Sequence, residues 1–512
     1  MPIQPPKVVI LFLMTKHFAT VCIILHMMNL EKELNHPVFS IIRQVADREN
    51  VQTFIVGGFV RDLMLHRPCA DVDCVVIGDG IRLCRAICRE IGQRSGVEPE
   101  LHEFPQFGTC KFYHDGMEVE FVGARKETYL PDSRKPVVEA GTLEEDQMRR
   151  DFSINALAIS LNQQSYGQLL DPFNGLRDLE RQIIRVHRDP DISFSEDPLR
   201  MFRAIRFAAQ LFFDIDPATF EAIVRNAERC RILSAERITE ELNKILLSPK
   251  PSYGFKLLDA AGLLPIFFPD MTALKGVEVR NKKAHKDNFE HTLEVLDHVA
   301  YAGGDLWLRW AALLHDIAKP KTKRFEEPRG WTFHGHEFVG SKMVPGIFRH
   351  FKLPMDDHMR FVKKMVELHL RPIVLAEDIV TDSAVRRLLF EAGNDIDALM
   401  TLARADITSK NREKVIKYRN NFSIVEKKLK ELEEKDRIRN FQPPVSGADI
   451  MEYFGVPPCA EIGIIKTRIK DAILEGAIGN NRTEAWEMML RIGTELGLQP
   501  ADTARTQDGP KA

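Results

Sequence analysis

Residues 56–73 read Val-Gly-Gly-Phe-Val-Arg-Asp-Leu-Met-Leu-His-Arg-Pro-Cys-Ala-Asp-Val-Asp. An apolar run over 54–56 breaks at Gly57 and Gly58, a short helix is expected over 59–65, and a second apolar run starts on Asp71 and Asp73. Two glycines between strand and helix let backbone N–H groups approach a phosphate at the positive end of a helix dipole. Residues i and i+2 on a strand share a face, so Asp71 and Asp73 can present both carboxylates to one cation. Either feature by itself reads as a turn or a solvated strand end. Together, at this spacing, they are what a metal-dependent nucleotidyl transfer requires.

Around this segment, 51–56 and 72–77 read as strands, and 37–50 and 80–92 as helices. A hairpin is expected from 109–113 and 117–122 around His114-Asp115-Gly116. Glu118 and Glu120 alternate there with apolar residues, which puts Glu120 on the side of the Asp pair. The charged, weakly periodic stretch 125–146 reads as a loop over the nucleotide. From about Asp178 onward the pattern is helical, with 196–212, 217–230, 234–247 and 251–262 as separate helices. Pro443-Pro444-Val445-Ser446-Gly447 marks a later boundary, and the polar residues 501–512 are expected to be disordered.

At 512 residues the chain exceeds one compact core and suggests about three domains. Hydrophobic content of 44% with 28% charge is that of a soluble globular protein. A net charge of −3 favours no partner, but 404–440 holds 12 Lys/Arg against 7 Asp/Glu, a local strip that suits either phosphate contacts or an ordinary solvated helix face. The eight cysteines lack zinc-ligand spacing and read as reduced thiols of a cytoplasmic protein. Residues 8–28 are apolar at near-membrane length but are interrupted by Lys16, His17 and His26, with no cleavage-like site after them. Segment 1–33 is therefore expected to be an extension ahead of the fold, with a start near Met28 and no membrane span.

Gly57-Gly58-x-Val60-Arg61-Asp62 through Asp71-x-Asp73 resembles the first motif of class II (bacterial-type) CCA-adding tRNA nucleotidyltransferases and poly(A) polymerases. Arg149-Arg150-Asp151-Phe152-Ser153-Ile154-Asn155-Ala156, Asp171-Pro172-Phe173-Asn174-Gly175 and Glu196-Asp197-Pro198-Leu199-Arg200 follow in that family's order, and an arginine-rich stretch continues through Arg203 and Arg206. The resemblance implies an α/β head of the polymerase-beta-like kind, a mixed sheet with helices, followed by an all-α neck, an HD domain and a helical tail. The corresponding boundaries are 34–163 for the head, 164–275 for the neck, 276–410 for the HD domain and 411–500 for a tRNA-binding tail. It implies tRNA as partner, CTP and ATP as substrates, and Mg2+ on Asp71 and Asp73 with Glu120 beside them. Gly57, Gly58, Arg61, Arg150, Asp151, Asn155, Asp197, Arg200, Arg203 and Arg206 are the implied nucleotide-binding set. An N-cap reading of Asp151 stands beside the ribose-binding one.

Asp197 and Arg200 carry base choice on chemical grounds. Cytosine and adenine both show an amino donor beside a ring-nitrogen acceptor, which a carboxylate and a guanidinium complement. Guanine and uracil show a carbonyl and an N–H there, so the same pair rejects them. Capping by Asp197 ahead of Pro198 accounts for the aspartate but not for Arg200.

Farther on, an apolar helix over 307–314 ends in His315-Asp316, an ionisable pair that is costly inside a protein unless paired or metal-bound. With His291 and Asp406 it resembles the core ligand set of HD phosphohydrolases; His336 and His369 match additional ligands of some members, and Lys319 is placed for a substrate phosphate. Imidazoles with carboxylates suit a divalent transition metal. A relic domain without catalysis is the alternative. For the whole chain the alternatives are a poly(A) polymerase, an enzyme adding only A or only CC, and, from another class, a metal phosphohydrolase with an RNA-binding head. Oligomeric state leaves no mark on the sequence.

Overall fold

The structure, a computed structural model, describes residues 28–128, 137–281, 283–377, 381–408, 412–436 and 442–501. They pack as two compact units, one made of 28–128, 137–150 and 154–176, the other of 151–153 and the described residues from 177 to 501.

The first unit is built on β1 (Thr53–Val56), β2 (Asp71–Val76), β3 (Leu101–Phe104), β4 (Thr109–His114), β5 (Met117–Gly123), β8 (Ala158–Ser160) and β9 (Leu169–Leu170), with β6 (Arg125–Thr128) and β7 (Val137–Ala140) as a separate antiparallel pair. The large sheet runs β3-β4-β5-β2-β1-β8-β9 and is mixed, because β2 and β5 pair in parallel while the other neighbours are antiparallel. Alternation assigns the faces. Val72 and Cys74 of β2, Val119 and Phe121 of β5, and Cys110 and Phe112 of β4 are all buried. Helix α3 (Gly80–Ser95), whose apolar stripe is Leu83, Cys84, Ile87, Cys88 and Ile91, packs on β4 and β5. Asp79 caps its first turn by accepting from Arg82 N–H, and Gly96 ends it at φ 78°. The other face carries Asp71 and Asp73, then turns apolar at Val75, which joins Val56, Ala124 and Ala158 in a small core. The Asp pair thus stands where a buried face opens to water.

Between β1 and β2, Gly57 at φ 73° turns the chain into α2 (Gly58–Met64). Ahead of the sheet, α1 (Pro37–Arg48) packs against α3.

The second unit is helical for nearly its whole described length. Helix Leu199–Leu211 is buried on most sides and packs on Ala235–Leu246 and Pro251–Ala260. Arg206 of the first and Glu241 of the second form a nearly buried ion pair at 2.8 Å. Helices Asn288–Tyr301, Leu306–Leu314, Asp357–Leu368 and Ile396–Asp406 pack together farther on, and His315 directly follows Leu306–Leu314, which is apolar apart from buried Arg309. Among the described residues no helix is long and apolar enough to cross a membrane.

The expected strands and helices fall within a few residues of the observed ones. The expected loop over 125–146 is corrected: β6 and β7 pair from Arg125↔Ala140 to Thr128↔Val137, and Leu143–Met148 is a helix opened by a Thr142/Glu145 capping box. Strands of four residues are too short to show periodicity, whereas the T-x-x-E box was readable. Residues 129–136 of that stretch, 1–27 of the expected extension and 502–512 of the expected disordered tail lie outside the described residues. Replacing Glu241 by Ala strips a counter-charge from nearly buried Arg206. It should cost about 3–5 kcal/mol of stability, measured by denaturant unfolding.

Candidate active sites

In the first unit, parallel pairing sets Asp71 beside Glu118 and Asp73 beside Glu120, so four carboxylates share one face of β2 and β5. Lys111 on β4, opposite Glu120, pairs with Glu118 at 2.9 Å. Asp73 is exposed by surface area yet surrounded by protein. That desolvation is the largest influence raising its carboxyl pKa; Asp71 and Glu118 add to it, and Arg150 opposes it. Glu120 is raised in the same way, by desolvation and then by Asp73, with Lys111 opposing. Crowded carboxylates with raised pKa values and oxygen-only donors fit a hard divalent cation such as Mg2+.

Gly57 touches this face directly. A Cβ there would lie 3.0 Å from the Arg150 guanidinium and 3.8 Å from the Asp73 carboxylate. Arg150 is aimed by Asp146, a fully buried acid in Leu143–Met148, at 2.9 Å; Arg149 takes the other oxygen at 2.6 Å. Arg61 donates to Asn155 Oδ1 at 2.9 Å and pairs with Asp62 at 2.8 Å. Gly57, Asp73 and Arg150 are therefore neighbours, and Arg61 with Asn155 forms a second group. Asp146 was missed by sequence reasoning, although an acid four residues before Arg150 on a capped helix is a readable i, i+4 signal.

In the second unit, Arg203 pairs with Asp151 at 2.6 Å, and the Asp151 charge is the main influence raising its pKa. Asp151 also accepts from Phe152 N–H at 2.9 Å. Arg200 is buried; its Nη1 donates to Ser193 Oγ at 2.8 Å and lies 3.8 Å from Glu196, which Arg188 also grips. Asp197 accepts from Leu199 N–H at 3.1 Å and faces Arg237 at 3.2 Å. Pro198 at the start of Leu199–Leu211 makes no side-chain capping bond, and the Asp197 carboxylate takes the N–H two residues on, at Leu199, as an aspartate ahead of a proline can. Arg206 points instead to Glu241, inside the helical core. Ser193, Arg237 and Glu241 went unnoticed in the sequence.

The six HD-type residues all converge in the second unit. Asp316 Oδ2 lies 3.4 Å from His291 Nε2 and 3.3 Å from His315 Nε2, while Oδ1 lies 3.2 Å from His336 Nε2 and 4.0 Å from His369 Nε2. Asp406 Oδ1 is 2.9 Å from His291 Nε2 and 3.7 Å from His315 Nε2. Two donor sets, His291–His315–Asp316 and Asp316–His336–His369, each have ligand atoms within 4.8 Å of one another. Buried His315 Nε2 and Asp316 Oδ2 make no hydrogen bond, although Lys319 Nζ stands 2.5 Å from the latter. An imidazole nitrogen left without a hydrogen bond and facing carboxylate oxygens, in a nitrogen–oxygen set, fits a divalent transition metal. Burial alone would lower the His315 pKa, but Asp316 and Asp406 outweigh it and push it up to about 10. His369 is pulled down to about 3 by burial and then by His315. The Asp316 and Asp406 carboxyls lie well below the usual range despite burial, held there by His315 and Lys319 around Asp316 and by His291 and His315 around Asp406.

Residues 53–185 match the family described as "Poly A polymerase head domain", 212–275 that described as "Probable RNA and SrmB- binding site of polymerase A", and 288–411 the HD domain. A multifunctional CCA protein of Pseudomonas fluorescens (strain Pf0-1) is 36% identical over 321 residues, 60% of this chain and 72% of that protein. An A-adding tRNA nucleotidyltransferase of Aquifex aeolicus (strain VF5) is 40% identical over 209 residues, 41% of this chain; the chain spans 24% of that protein's length. The fold is similar to that of a Thermotoga maritima CCA-adding enzyme complexed with tRNA, with a TM-score of 0.57 and 20% identity over 91% of this chain and 98% of that one.

Two outcomes follow from the head geometry. Gly57→Ala combines a strained positive φ, costing about 1–3 kcal/mol, with a methyl pressed on Arg150. It should lower nucleotide affinity and melting temperature together, read by calorimetric titration and thermal melting. The second concerns pH. Because the folded state raises the Asp73 pKa, the metal-free fold gains from protonation at low pH and loses that gain as pH rises through the raised value. Asp73→Asn should therefore raise the melting temperature of the metal-free protein at neutral pH, and should diminish any stabilisation by added Mg2+.

Proposed function

This chain belongs to the tRNA nucleotidyltransferase family, and on that premise we propose that it completes the 3′ CCA end of tRNA from CTP and ATP without a nucleic-acid template. The observation that carries the reading is the Asp71–Asp73 pair on an open sheet face, with Gly57 and Arg150 against it. In the reaction the tRNA 3′-oxygen attacks the α-phosphorus, its proton is lost, and pyrophosphate departs with the electrons of the broken P–O bond. Asp71 and Asp73, with Glu120 beside them, would hold Mg2+, which would supply charge neutralisation at the attacking and leaving oxygens. Gly57 and Gly58 offer close backbone approach to the triphosphate, and Arg150, held by Asp146, offers it a fixed guanidinium. Arg61 and Asn155 act as one unit, and Asp151 with Arg203 as another, on the ribose and phosphates.

Base choice falls to Asp197 and Arg200. Ser193 and Glu196 fix the Arg200 guanidinium; Leu199 N–H and Arg237 orient Asp197. Pre-set donors and acceptors are what allow discrimination by base edge. The neck and HD domain continue the head over 164–275 and 276–410, and the helical tail 411–500 contacts tRNA. The HD residues His291, His315, Asp316 and Asp406, with His336 and His369, would hold a transition metal that polarises a phosphate ester, and Lys319 neutralises the ester's charge. Free thiols at all seven described cysteines suit a cytoplasmic enzyme.

Addition of A alone is the second reading, favoured by the 40% identity over 209 residues to the Aquifex A-adding enzyme. Labelled CTP and ATP, offered separately and together to tRNA lacking its 3′ end, decide between them: CTP incorporation followed by one A is expected, and incorporation of ATP alone would replace CCA addition with A addition. Asp71→Ala should abolish both incorporations. Asp197→Asn should fold normally but relax exclusion of UTP or GTP by roughly ten- to hundredfold, measured by single-nucleotide incorporation beside thermal melting. Asp316→Ala should remove Mn2+-, Ni2+- or Co2+-stimulated phosphatase activity and spare nucleotide addition; no such activity in the wild type would make the HD domain a relic.

A further inference from the structure

The four histidines of the HD site do not hold their rings in the same way. His315 Nδ1 lies 2.7 Å from Ala312 O, His336 Nδ1 2.8 Å from Phe333 O, and His369 Nδ1 2.7 Å from Val366 O. A carbonyl oxygen only accepts, so in each of these rings Nδ1 carries hydrogen and Nε2 is the nitrogen turned to the centre, the one a metal would take. The backbone itself, three residues upstream, sets those tautomers. His291 differs: its Nδ1 lies 2.8 Å from the hydroxyl of Thr408, a group that both donates and accepts. Lys286 in turn reaches the Thr408 carbonyl oxygen at 2.6 Å and its Oγ1 at 3.3 Å. An ammonium only donates, so it occupies one Oγ1 lone pair and fixes the hydroxyl beside His291 Nδ1. The second lone pair is then placed to accept from Nδ1–H when Nε2 exchanges its own proton, which it holds against Asp406 at 2.9 Å, for a metal. Lys286, Thr408, His291 and Lys319 all line one cavity of about 390 Å³ beside Asp406.

We propose that Thr408, braced by Lys286, is the positioning residue that turns the His291 Nε2 lone pair toward the HD metal, making this the one adjustable ligand of the set. The proposal rests on the reading of these residues as a metal site. Partners on the far side of a ligating imidazole commonly govern metal affinity by about 10–100-fold. Replacing one alters ligand basicity and ring orientation rather than ligand number. A hydroxyl held by a lysine can be lost or reoriented without unfolding a helix, unlike the three backbone carbonyls.

The test uses the full chain with Co2+ and Ni2+ as probes, read by calorimetric titration and by the visible absorption of bound Co2+. Thr408→Val keeps the shape and removes the hydroxyl; it should weaken binding about 10–100-fold and change the Co2+ spectrum. Thr408→Ser should restore both to near wild-type values. Lys286→Met, which leaves the hydroxyl without its brace, should weaken binding by less than Thr408→Val, and it tests the same device if the valine variant melts early. Wild-type protein that binds neither ion overturns the metal reading itself, and the proposal with it. Wild-type binding matched by Thr408→Val, in affinity and spectrum, overturns the role of Thr408 alone. A serine variant as weak as the valine variant does the same, since the hydroxyl would then not be the agent.

Discussion

Parallel pairing of β2 with β5 is the constraint from which the head follows. With Val72 beside Val119 and Cys74 beside Phe121, every second residue is committed to the core under Gly80–Ser95. The alternating residues, Asp71, Asp73, Glu118 and Glu120, then have no choice but the opposite face. A slip of one residue would bury the carboxylates and expose the core, so the apolar half of the pattern enforces the acidic half. The acidic cluster is therefore unfavourable locally and stable globally. Hydrophobic burial holds like charges together that would otherwise separate, which is the usual relation between a strained site and its scaffold.

The second cluster solves the charge problem in the opposite way. Around Asp316 each carboxylate faces imidazoles or Lys319, and burial is offset by mutual neutralisation. His315 is driven up to about 10 while Asp316 and Asp406 are driven down, so the metal-free cluster holds its own compensating charge. In the head the carboxyls of Asp73 and Glu120 move up instead, with Arg150 and Lys111 only partly opposing. One site is left negative on an exposed face. The other is buried beside a cavity and offsets its own charge, with Lys319 and the imidazoles facing Asp316.

Sequence made the short-range parts legible. Gly57-Gly58 ahead of an amphipathic turn, the Asp pair opening a strand, the hairpin at 109–123 and the histidine–aspartate pair ending an apolar helix all lie within windows where periodicity and turn chemistry speak. What escaped depended on contacts between distant residues or on very short elements. Thr408 meets His291 across 117 residues, Arg237 meets Asp197 across 40, and Glu241 holds Arg206 from another helix. No local pattern encodes such pairs. Asp146 is the instructive exception: it is four residues from Arg150 on a helix announced by its capping box, yet the charged, weakly periodic stretch that holds it reads as a loop.

Asp146 also shows how the fold uses local helix geometry to fix two guanidiniums. Leu143–Met148 ends at Arg149, so both arginines leave the helix where Asp146, buried one turn earlier, can receive them on separate oxygens. A buried carboxylate shared by two guanidiniums loses little side-chain entropy on ligand binding, because the rotamers are already chosen. The Arg150 guanidinium is brought to within van der Waals reach of a Gly57 Cβ position, a space that glycine leaves empty. The empty space and the fixed charge belong together. Without the glycine the guanidinium would be displaced, and without Asp146 the gap beside Gly57 would have no fixed cation next to it.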